Sequence, residues 1–299
     1  MKKSKYILLL IIFILILTEL ATRYYGLHQY PLFIESKEFE YIHKPNQVTK
    51  IYRNDFMTNE YSMRSKSINK NDTSVVLLIG DSILNGGNTI DQDDLASTLL
   101  ENNLNKKLGR NIRVLNISSY TWGPDNIYAY LKKYGTFSAD LIVYICNSGD
   151  AYDPMTFEKI VDVSDTHPGK NYKFGTIKLI KKGLNAFKNI FAKKVETQEV
   201  DTQKLSSGFS NLDSLANKLN IPLLIYMHPD IQETTNGQYN KKGKLIIDFY
   251  TGRNRKIISE LDLAIKKEYY KDDIHFNTKG QLFMSDNLFQ PIYNSVKHL

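Results

Sequence analysis

Short apolar runs alternate with amphipathic segments over most of the chain after residue 74. The first run, Val75–Ile79, has five apolar residues without a polar break, which is typical of a strand buried on both faces of a parallel sheet. This alternation predicts an α/β domain, a three-layer α/β/α sandwich around a parallel sheet with right-handed crossovers. The predicted strands are Val75–Ile79, Arg113–Asn116, Leu141–Ile145 and Pro222–Tyr226, and the predicted helices are Asp93–Leu108, Asp125–Tyr134, Phe209–Leu219, Asn254–Lys266 and Thr278–Val296.

The first 25 residues follow a different pattern, in which three lysines precede the twelve apolar residues of Tyr6–Leu17. A basic flank before an apolar run is typical of a secretory signal or of a membrane anchor. The best cleavage position follows Ala21, but Glu19 stands where signal peptidase requires a small residue. We therefore favour an uncleaved transmembrane helix over a cleaved signal. The lysines would stay cytoplasmic, and all that follows residue 25 would be extracytoplasmic.

The rest of the chain divides into an extended neck at 26–73 and the α/β domain at 74–299, with a helical insertion at about 155–205. In the neck, Arg64 could reach the site, but we favour an exposed arginine. The insertion repeats apolar residues at helical spacing among many lysines. It predicts either a basic amphipathic lid that touches a membrane or an acidic substrate, or a cap helix with its apolar stripe on the core; we favour the cap helix. The apolar residues are Ile177, Ile180, Leu184, Phe187 and Phe191, and the lysines are Lys178, Lys181, Lys182, Lys188, Lys193 and Lys194.

Composition limits the classes of partner and cofactor. Hydrophobic residues at 42% and charged residues at 24% are ordinary for a globular protein. The net charge of +7 is spread over lysine-rich patches, which weakly favours anionic lipid or polysaccharide, and we expect no nucleic-acid partner. Cys146 is the only cysteine, so an intramolecular disulfide is excluded. Zinc spacing, a Walker loop and a dinucleotide fingerprint are missing from the sequence, so we expect no metal and no cofactor.

Two polar stretches carry the candidate chemistry. Gly80-Asp81-Ser82 follows the first strand, at the sheet edge where α/β proteins bind ligands; Ser82 is either a nucleophile or part of a simple turn. Asp272 and His275 stand three residues apart before the last predicted helix. A serine nucleophile needs a base, and the base needs a group that orients it, so one loop could supply both.

Together the two stretches resemble the SGNH (GDSL-type) hydrolase family over about residues 74 to 297. The matching residues are Gly80-Asp81-Ser82, and Asp272-x-x-His275 followed by Phe276-Asn277-x-x-Gly280. The resemblance implies a flavodoxin-like sheet and a catalytic triad of Ser82, His275 and Asp272 that forms an acyl-enzyme without a cofactor. It also implies an esterase, a lipase, or a carbohydrate O-acyl esterase or transferase.

The family also supplies an oxyanion hole, with hydrogen-bond donors from the serine N–H, from a glycine N–H after the second strand and from an asparagine after the third. In this chain Ser82 would supply the first of these donors, and Thr121 occupies the usual glycine position. Asn147 stands two residues before the expected asparagine, and it either turns its amide into the hole or caps a turn. We interpret His228, after the fourth strand, as structural and as the second candidate for the base.

These observations predict a serine esterase that acts on acyl esters, O-acetyl esters above all, of a cell-envelope or exported glycan. It would be anchored in the membrane with its catalytic domain outside the cytoplasm. The alternatives are a polysaccharide O-acetyltransferase with the same triad and a non-catalytic envelope protein on the same fold.

Overall fold

A five-stranded parallel sheet forms the centre of the part of the protein that the computed structural model describes, residues 2–191 and 204–298. Its strand order is β6-β5-β7-β8-β9, and all neighbouring strands are parallel. Two antiparallel hairpins, β1–β2 and β3–β4, precede it. In chain order the strands are β1 (Phe33–Ser36), β2 (Glu40–His43), β3 (Val48–Ile51), β4 (Asn54–Met57), β5 (Ser74–Gly80), β6 (Ile112–Ser118), β7 (Leu141–Asn147), β8 (Leu223–His228) and β9 (Lys256–Ser259).

Helices cover both faces of this sheet. Because side chains alternate along a strand, Val76 and Leu78 of β5 pack in the core under α3 and α9, whereas Leu77 and Ile79 pack in the core under α4, α6 and α8. This arrangement confirms the predicted three-layer α/β/α class. In chain order the described α-helices are α1 (Lys2–Tyr24), α2 (Ser82–Asn85), α3 (Ala96–Leu108), α4 (Pro124–Tyr134), α5 (Gly175–Phe191), α6 (Ser207–Lys218), α7 (Ile231–Asn236), α8 (Lys241–Thr251) and α9 (Thr278–Val296).

The four predicted strands are all present; β5, β6 and β7 are two or three residues longer than predicted, and β8 begins one residue later and ends two residues later. The helix predicted over Asn254–Lys266 is wrong, because this stretch holds the edge strand β9 followed by a 3-10 turn at Glu260–Leu263. Pairing with β8 makes this stretch a strand, since Ile257 aligns with Ile225 and Ile258 aligns with Tyr226. β-branched residues favour a pleated, half-buried position, and the apolar spacing alone did not separate strand from helix.

Residues 26–73 pack against the domain through the two hairpins. Phe33, Phe39, Tyr41 and Ile42 belong to the same buried apolar cluster as α4 and α6. Tyr130 of α4 donates from its hydroxyl to the Tyr61 carbonyl oxygen at 2.7 Å. The boundaries between anchor, neck and domain, at residues 25 and 73, stay predictions.

Helix α1 has the length and apolar composition of a membrane-spanning helix, over Lys5–Tyr24, although a signal sequence meets the same description. Helix α5 carries most of the insertion's apolar stripe. The favoured cap-helix interpretation is wrong for its described side chains, since Ile177, Ile180 and Leu184 are exposed. Lys193 and Lys194, which we assigned to the same insertion, lie outside the described residues.

Candidate active site

The nucleophile candidate lies at the turn from β5 into α2. A Cβ on Gly80 would stand 2.9 Å from the carbonyl oxygen of Ile145 in β7, so only glycine fits between these adjacent strands. The Asp81 carboxylate then caps α2 by accepting the Ile83 N–H at 2.8 Å. Ser82 is thus the first residue of α2, directly beyond the carboxyl end of β5, an interior strand of the sheet.

The loop before α9 brings a histidine and a carboxylate to this serine. His275 Nε2 lies 2.8 Å from Ser82 Oγ, although 193 positions separate the two residues in the chain. On the other side of the ring, His275 Nδ1 lies 2.9 and 3.0 Å from the two carboxylate oxygens of Asp272. With Nδ1 donating to Asp272, Nε2 is left as an acceptor for the serine proton. The order hydroxyl, imidazole, carboxylate is the order that a serine nucleophile requires.

Asp272 is held in place by its own turn. Its Oδ1 accepts the backbone N–H of His275 at 2.8 Å and that of Ile274 at 3.1 Å. Partial burial opposes ionisation, but these two backbone donors and the His275 ring outweigh it and lower the pKa of Asp272 below its ordinary value. The carboxylate therefore stays ionised and can stabilise a positive charge on His275.

A pocket of about 360 Å³ opens over Ser82 and His275. Lys271 reaches across one side of it and donates to Thr89 Oγ1 at 3.0 Å, which ties the histidine loop to the segment after α2. Tyr120 closes another side and donates to Asn88 Oδ1 at 2.9 Å. The full lining is Tyr52, Ser82, Gly87, Asn88, Thr89, Tyr120, Thr121, Thr166, His167, Lys271, Asp272 and His275.

Thr121 lines this pocket with a left-handed backbone, at φ +54°. Glycine is the residue that adopts this conformation without cost, and a glycine is what the resemblance to SGNH hydrolases implies at this position. A β-branched residue is strained there, by roughly 1–3 kcal/mol. Tyr41 of β2 supports the threonine, since its hydroxyl contacts Thr121 Oγ1 and the carbonyl oxygens of Tyr120 and Thr121.

Asn147, the third predicted oxyanion donor, forms its hydrogen bonds with the turn that carries Ser82 and with the turn after β7. Its side-chain N–H₂ donates to Asp81 Oδ2 at 3.1 Å, and its side-chain oxygen accepts the Gly149 N–H at 2.7 Å. Its backbone N–H donates to buried Asp150, and burial raises the pKa of Asp150 well above its ordinary value. In this structure Asn147 caps a turn, which is one of the two roles that the sequence allows, the other being a donor in the oxyanion hole. Its oxyanion role stays a prediction, as do those of the Ser82 and Thr121 N–H groups.

Arg64 is a site-supporting residue whose placement the sequence did not reveal. The expectation that it is exposed is wrong, because its side chain is fully buried over the Phe56 ring. Its guanidinium donates to the carbonyl oxygens of Asn85, Gly87 and Ile90. Burial lowers the pKa of Arg64 to about 10. Arg64 therefore holds in place the segment that follows α2.

His228, the second candidate for the base, is fully buried and does not line the pocket. Its Nδ1 lies 2.5 Å from Glu260 Oε2, and its Nε2 lies 2.7 Å from the Ile274 carbonyl oxygen. Both ring nitrogens are therefore occupied, and the histidine fixes the backbone one residue before His275. These contacts support the structural interpretation of His228.

Within residues 2–191 and 204–298, no cluster of three or more His, Cys, Asp or Glu side chains is arranged to hold a metal ion. The described chemistry of the site consists of a hydroxyl, an imidazole and carboxylates. What these groups can do together is transfer a proton and form an ester bond to the serine.

No family model matches the sequence, and no curated protein matches it. Solved structures do. The lipase/acylhydrolase from Enterococcus faecalis is 11% identical with a TM-score of 0.46, over 74% of this chain and 96% of that one. TesA is 14% identical with a TM-score of 0.47, over 75% of this chain and all of the other. A member of the lipolytic protein G-D-S-L family from Veillonella parvula is 11% identical with a TM-score of 0.41, over 73% and 97% of the two chains. At such identities, a reaction has to be argued from this chain's own residues.

Proposed function

We propose that the protein is a serine esterase in which Ser82 is the nucleophile, His275 the general base and Asp272 the group that orients the base. The observation that carries the proposal is the continuous chain of contacts from Ser82 Oγ through His275 to Asp272, with steps of 2.8 and 2.9 Å, at the wall of a pocket. Distances of this size permit proton transfer. Two remote stretches of sequence meet with each group facing the partner that the chemistry needs.

The reaction runs in two steps. His275 Nε2 takes the Ser82 hydroxyl proton while Oγ bonds to the ester carbonyl carbon. The ester C–O bond then breaks, and the proton passes to the departing alcohol, which leaves an acyl-enzyme. In the second step water bonds to the acyl carbon and gives its proton to His275; the bond from that carbon to Ser82 Oγ then breaks, Oγ takes the proton back from His275, and the acid leaves. The Asp272 carboxylate stabilises the imidazolium that forms in each step, and its lowered pKa keeps it charged.

The substrate we propose is an acyl ester, O-acetyl above all, of a cell-envelope or exported glycan. Side-chain hydroxyls and an amide line the pocket at Asn88, Thr89, Tyr120 and Thr166, and such groups suit a sugar that offers many hydroxyls. A retained α1 would tether the enzyme at the membrane with its α/β domain outside the cytoplasm. A soluble metabolite would not need that tether.

Replacement of Ser82 by alanine tests the proposal. Hydrolysis of p-nitrophenyl acetate by S82A should fall to background, and labelling by a fluorophosphonate should disappear. Ser210→Ala is the matched control, since Ser210 is an exposed serine on α6, outside the pocket lining. Unchanged hydrolysis in S82A, with circular dichroism equal to that of the control, would contradict the proposed triad.

One observation favours a non-catalytic envelope protein as the alternative. The Asn147 amide donates to Asp81, so one expected oxyanion donor is occupied, and the loss of such a donor costs about 3–4 kcal/mol of transition-state stabilisation. A folded sample that does not react with the fluorophosphonate would support this alternative. A reactive sample given acetyl donor and glycan together separates an esterase, which releases acetate, from an O-acetyltransferase, which leaves glycan-bound ester.

A further inference from the structure

Among the residues that the structure describes, helix α5 has an exposed apolar face. Ile177, Ile180, Leu184 and Phe187 follow the spacing i, i+3, i+7 and i+10, so they lie along one side of the helix. Their exposed fractions are 40, 59, 58 and 62%. A surface helix of a water-soluble domain turns such a face inward, because burial of each of these side chains would contribute roughly 1.5–3 kcal/mol.

Among the residues of α5 whose burial the structure describes, Gly175 and Lys178 are the buried ones. Lys178 is buried, its ammonium donates to the Asp165 carbonyl oxygen at 3.1 Å, and it lies 4.6 Å from the centre of the Tyr30 ring. Burial of a lysine in this way needs specific partners, and this one has a carbonyl and an aromatic face. The orientation is therefore held by particular contacts, which turn the cation inward and leave the apolar stripe outward.

The first turn of α5 is joined to the last turns of α1. The Glu19 carboxylate accepts the N–H groups of Gly175 and Thr176 at 3.3 and 3.1 Å, and the Thr176 hydroxyl at 3.1 Å. A Cβ on Gly175 would lie 2.4 Å from Thr22 Oγ1, so the two helices touch where only glycine fits. The one carboxylate of the apolar helix α1 is thus used to cap α5.

We propose that α5 is a second membrane contact, which lies in the bilayer interface beside α1 with its Ile177–Phe187 face in the lipid. With 23 residues, α1 is about 34 Å long and can cross a hydrocarbon core of about 30 Å. Its Glu19–Tyr24 end then reaches one membrane surface, and α5 begins at that level. Exposed Tyr24, Tyr25 and Phe174 surround the junction, as aromatic residues do at membrane interfaces.

The lysines of α5 suit the same occupant. Lys181 is exposed on the flank of the apolar face, and basic residues beside an apolar stripe bind anionic headgroups in interfacial helices. A second protein would also cover an apolar face, but the continuity with a membrane-spanning α1 favours lipid.

This placement rests on the retained α1 of the proposed function, and it would hold the pocket near the bilayer. Tyr52, which lines the pocket, donates its backbone N–H to the carbonyl oxygen of Tyr25 at the end of α1, at 2.7 Å. Thr166 and His167, also in the lining, follow the Asp165 that holds Lys178. Esters displayed at the membrane surface would therefore lie within reach of Ser82.

The fluorescence of a label on one introduced cysteine tests the proposal in the full-length protein. The natural Cys146 is buried and should not react with the label. Leu184→Cys carries a bimane label in liposomes with anionic lipid. Leu219→Cys is the matched control, since Leu219 is an exposed leucine at the end of α6, four residues before β8 begins, and Ser82 lies beyond the other end of the strands. We expect a lipid-borne nitroxide to quench the Leu184 label at least threefold more than the Leu219 label, and aqueous iodide to show the reverse order.

Equal quenching of the two labels by iodide, with no quenching by lipid, overturns the proposal. A third label at Leu10→Cys, in the middle of α1, reports on the anchor by itself. If that label is quenched by lipid while the Leu184 label is not, α5 fails and the anchor stands. If neither is quenched by lipid, both fail. Hydrolysis of soluble p-nitrophenyl acetate by the same samples reports on the triad independently.

Discussion

Two histidine–carboxylate pairs lie on either side of the loop before α9, and they differ in what the second ring nitrogen contacts. At the rim, His275 pairs with Asp272 and turns Nε2 to the Ser82 hydroxyl. In the core, His228 pairs with Glu260 and turns Nε2 to the Ile274 carbonyl oxygen. A hydroxyl can give up a proton and a carbonyl cannot, so the first pair has the contacts that the proposed chemistry needs, whereas the second pair has those of a structural support.

Burial separates the pairs as well. His228 and Glu260 are fully buried, whereas both members of the rim pair are partly exposed. Burial by itself would lower the pKa of His228, but the Glu260 carboxylate and the Ile274 carbonyl outweigh it and raise that pKa above its ordinary value. A histidine–carboxylate pair is therefore not in itself a sign of catalysis, and the comparison can be tested with variants of each pair.

The largest effect is expected at the rim base. In H275A the serine loses its proton acceptor, so kcat for p-nitrophenyl acetate should fall by about 10⁶-fold, as for removal of the base from another serine hydrolase. The unfolding midpoint should stay close to that of the wild type, because this side chain is partly exposed. If H275A keeps more than a tenth of the activity, the assignment of the two pairs is reversed or wrong.

The rim carboxylate comes next. In D272N the amide can present its N–H₂ to His275 and hold the wrong tautomer, so kcat should fall by about 10⁴-fold with little change in KM. Steady-state kinetics measure this split. Asp273→Asn is a suitable control, since it alters the neighbouring carboxylate and leaves the His275 contact in place. Equal losses in the two variants would speak against an orienting role for Asp272.

The core pair should affect stability first. In H228L the buried Glu260 loses its partner, which costs about 3–5 kcal/mol in the free energy of unfolding. Urea unfolding measures this change. The fraction that remains folded should bind a fluorophosphonate at Ser82, because the rim pair is intact. A variant of wild-type stability that does not react with the probe would assign catalysis to the core pair.

The smallest expected effect is on the pH dependence of stability. Because the pKa of His228 is raised in the folded state, its contribution is fully present below pH 6.5 and is lost as the pH rises through the folded pKa. The difference in unfolding free energy between wild type and H228Q should therefore shrink above pH 6.5. A difference that grows with pH would show that His228 is neutral in the folded protein.

Local pattern was sufficient for the central strands and the last helix. Val75–Ile79 has no polar break and lies inside the sheet, between β6 and β7. Its apolar run therefore correctly predicted a strand that is buried on both faces. Thr278–Val296 was predicted with the bounds that the structure has. The edge strand β9 was missed because it has only four residues, of which two are polar, and its strand conformation depends on pairing with β8.

The surroundings of the site were harder to predict. Arg64 is buried because three carbonyl oxygens from one distant segment converge on its guanidinium, and a sequence does not show that convergence. The outward face of α5 follows from Lys178 reaching Tyr30 and from Glu19 capping the helix. Both contacts join parts of the chain that are more than a hundred residues apart.

By itself, the sequence determined the α/β class, the apolar first helix and the two short motifs, because each of these is a property of neighbouring residues. Tertiary structure alone decided that the Ser82 hydroxyl meets the His275 ring at 2.8 Å, that Asn147 turns toward Asp81, and that the apolar side of α5 faces away from the core. The direction in which a side chain or a helix face points depends on how remote segments pack against one another. Periodicity along a chain shows only which residues share a face.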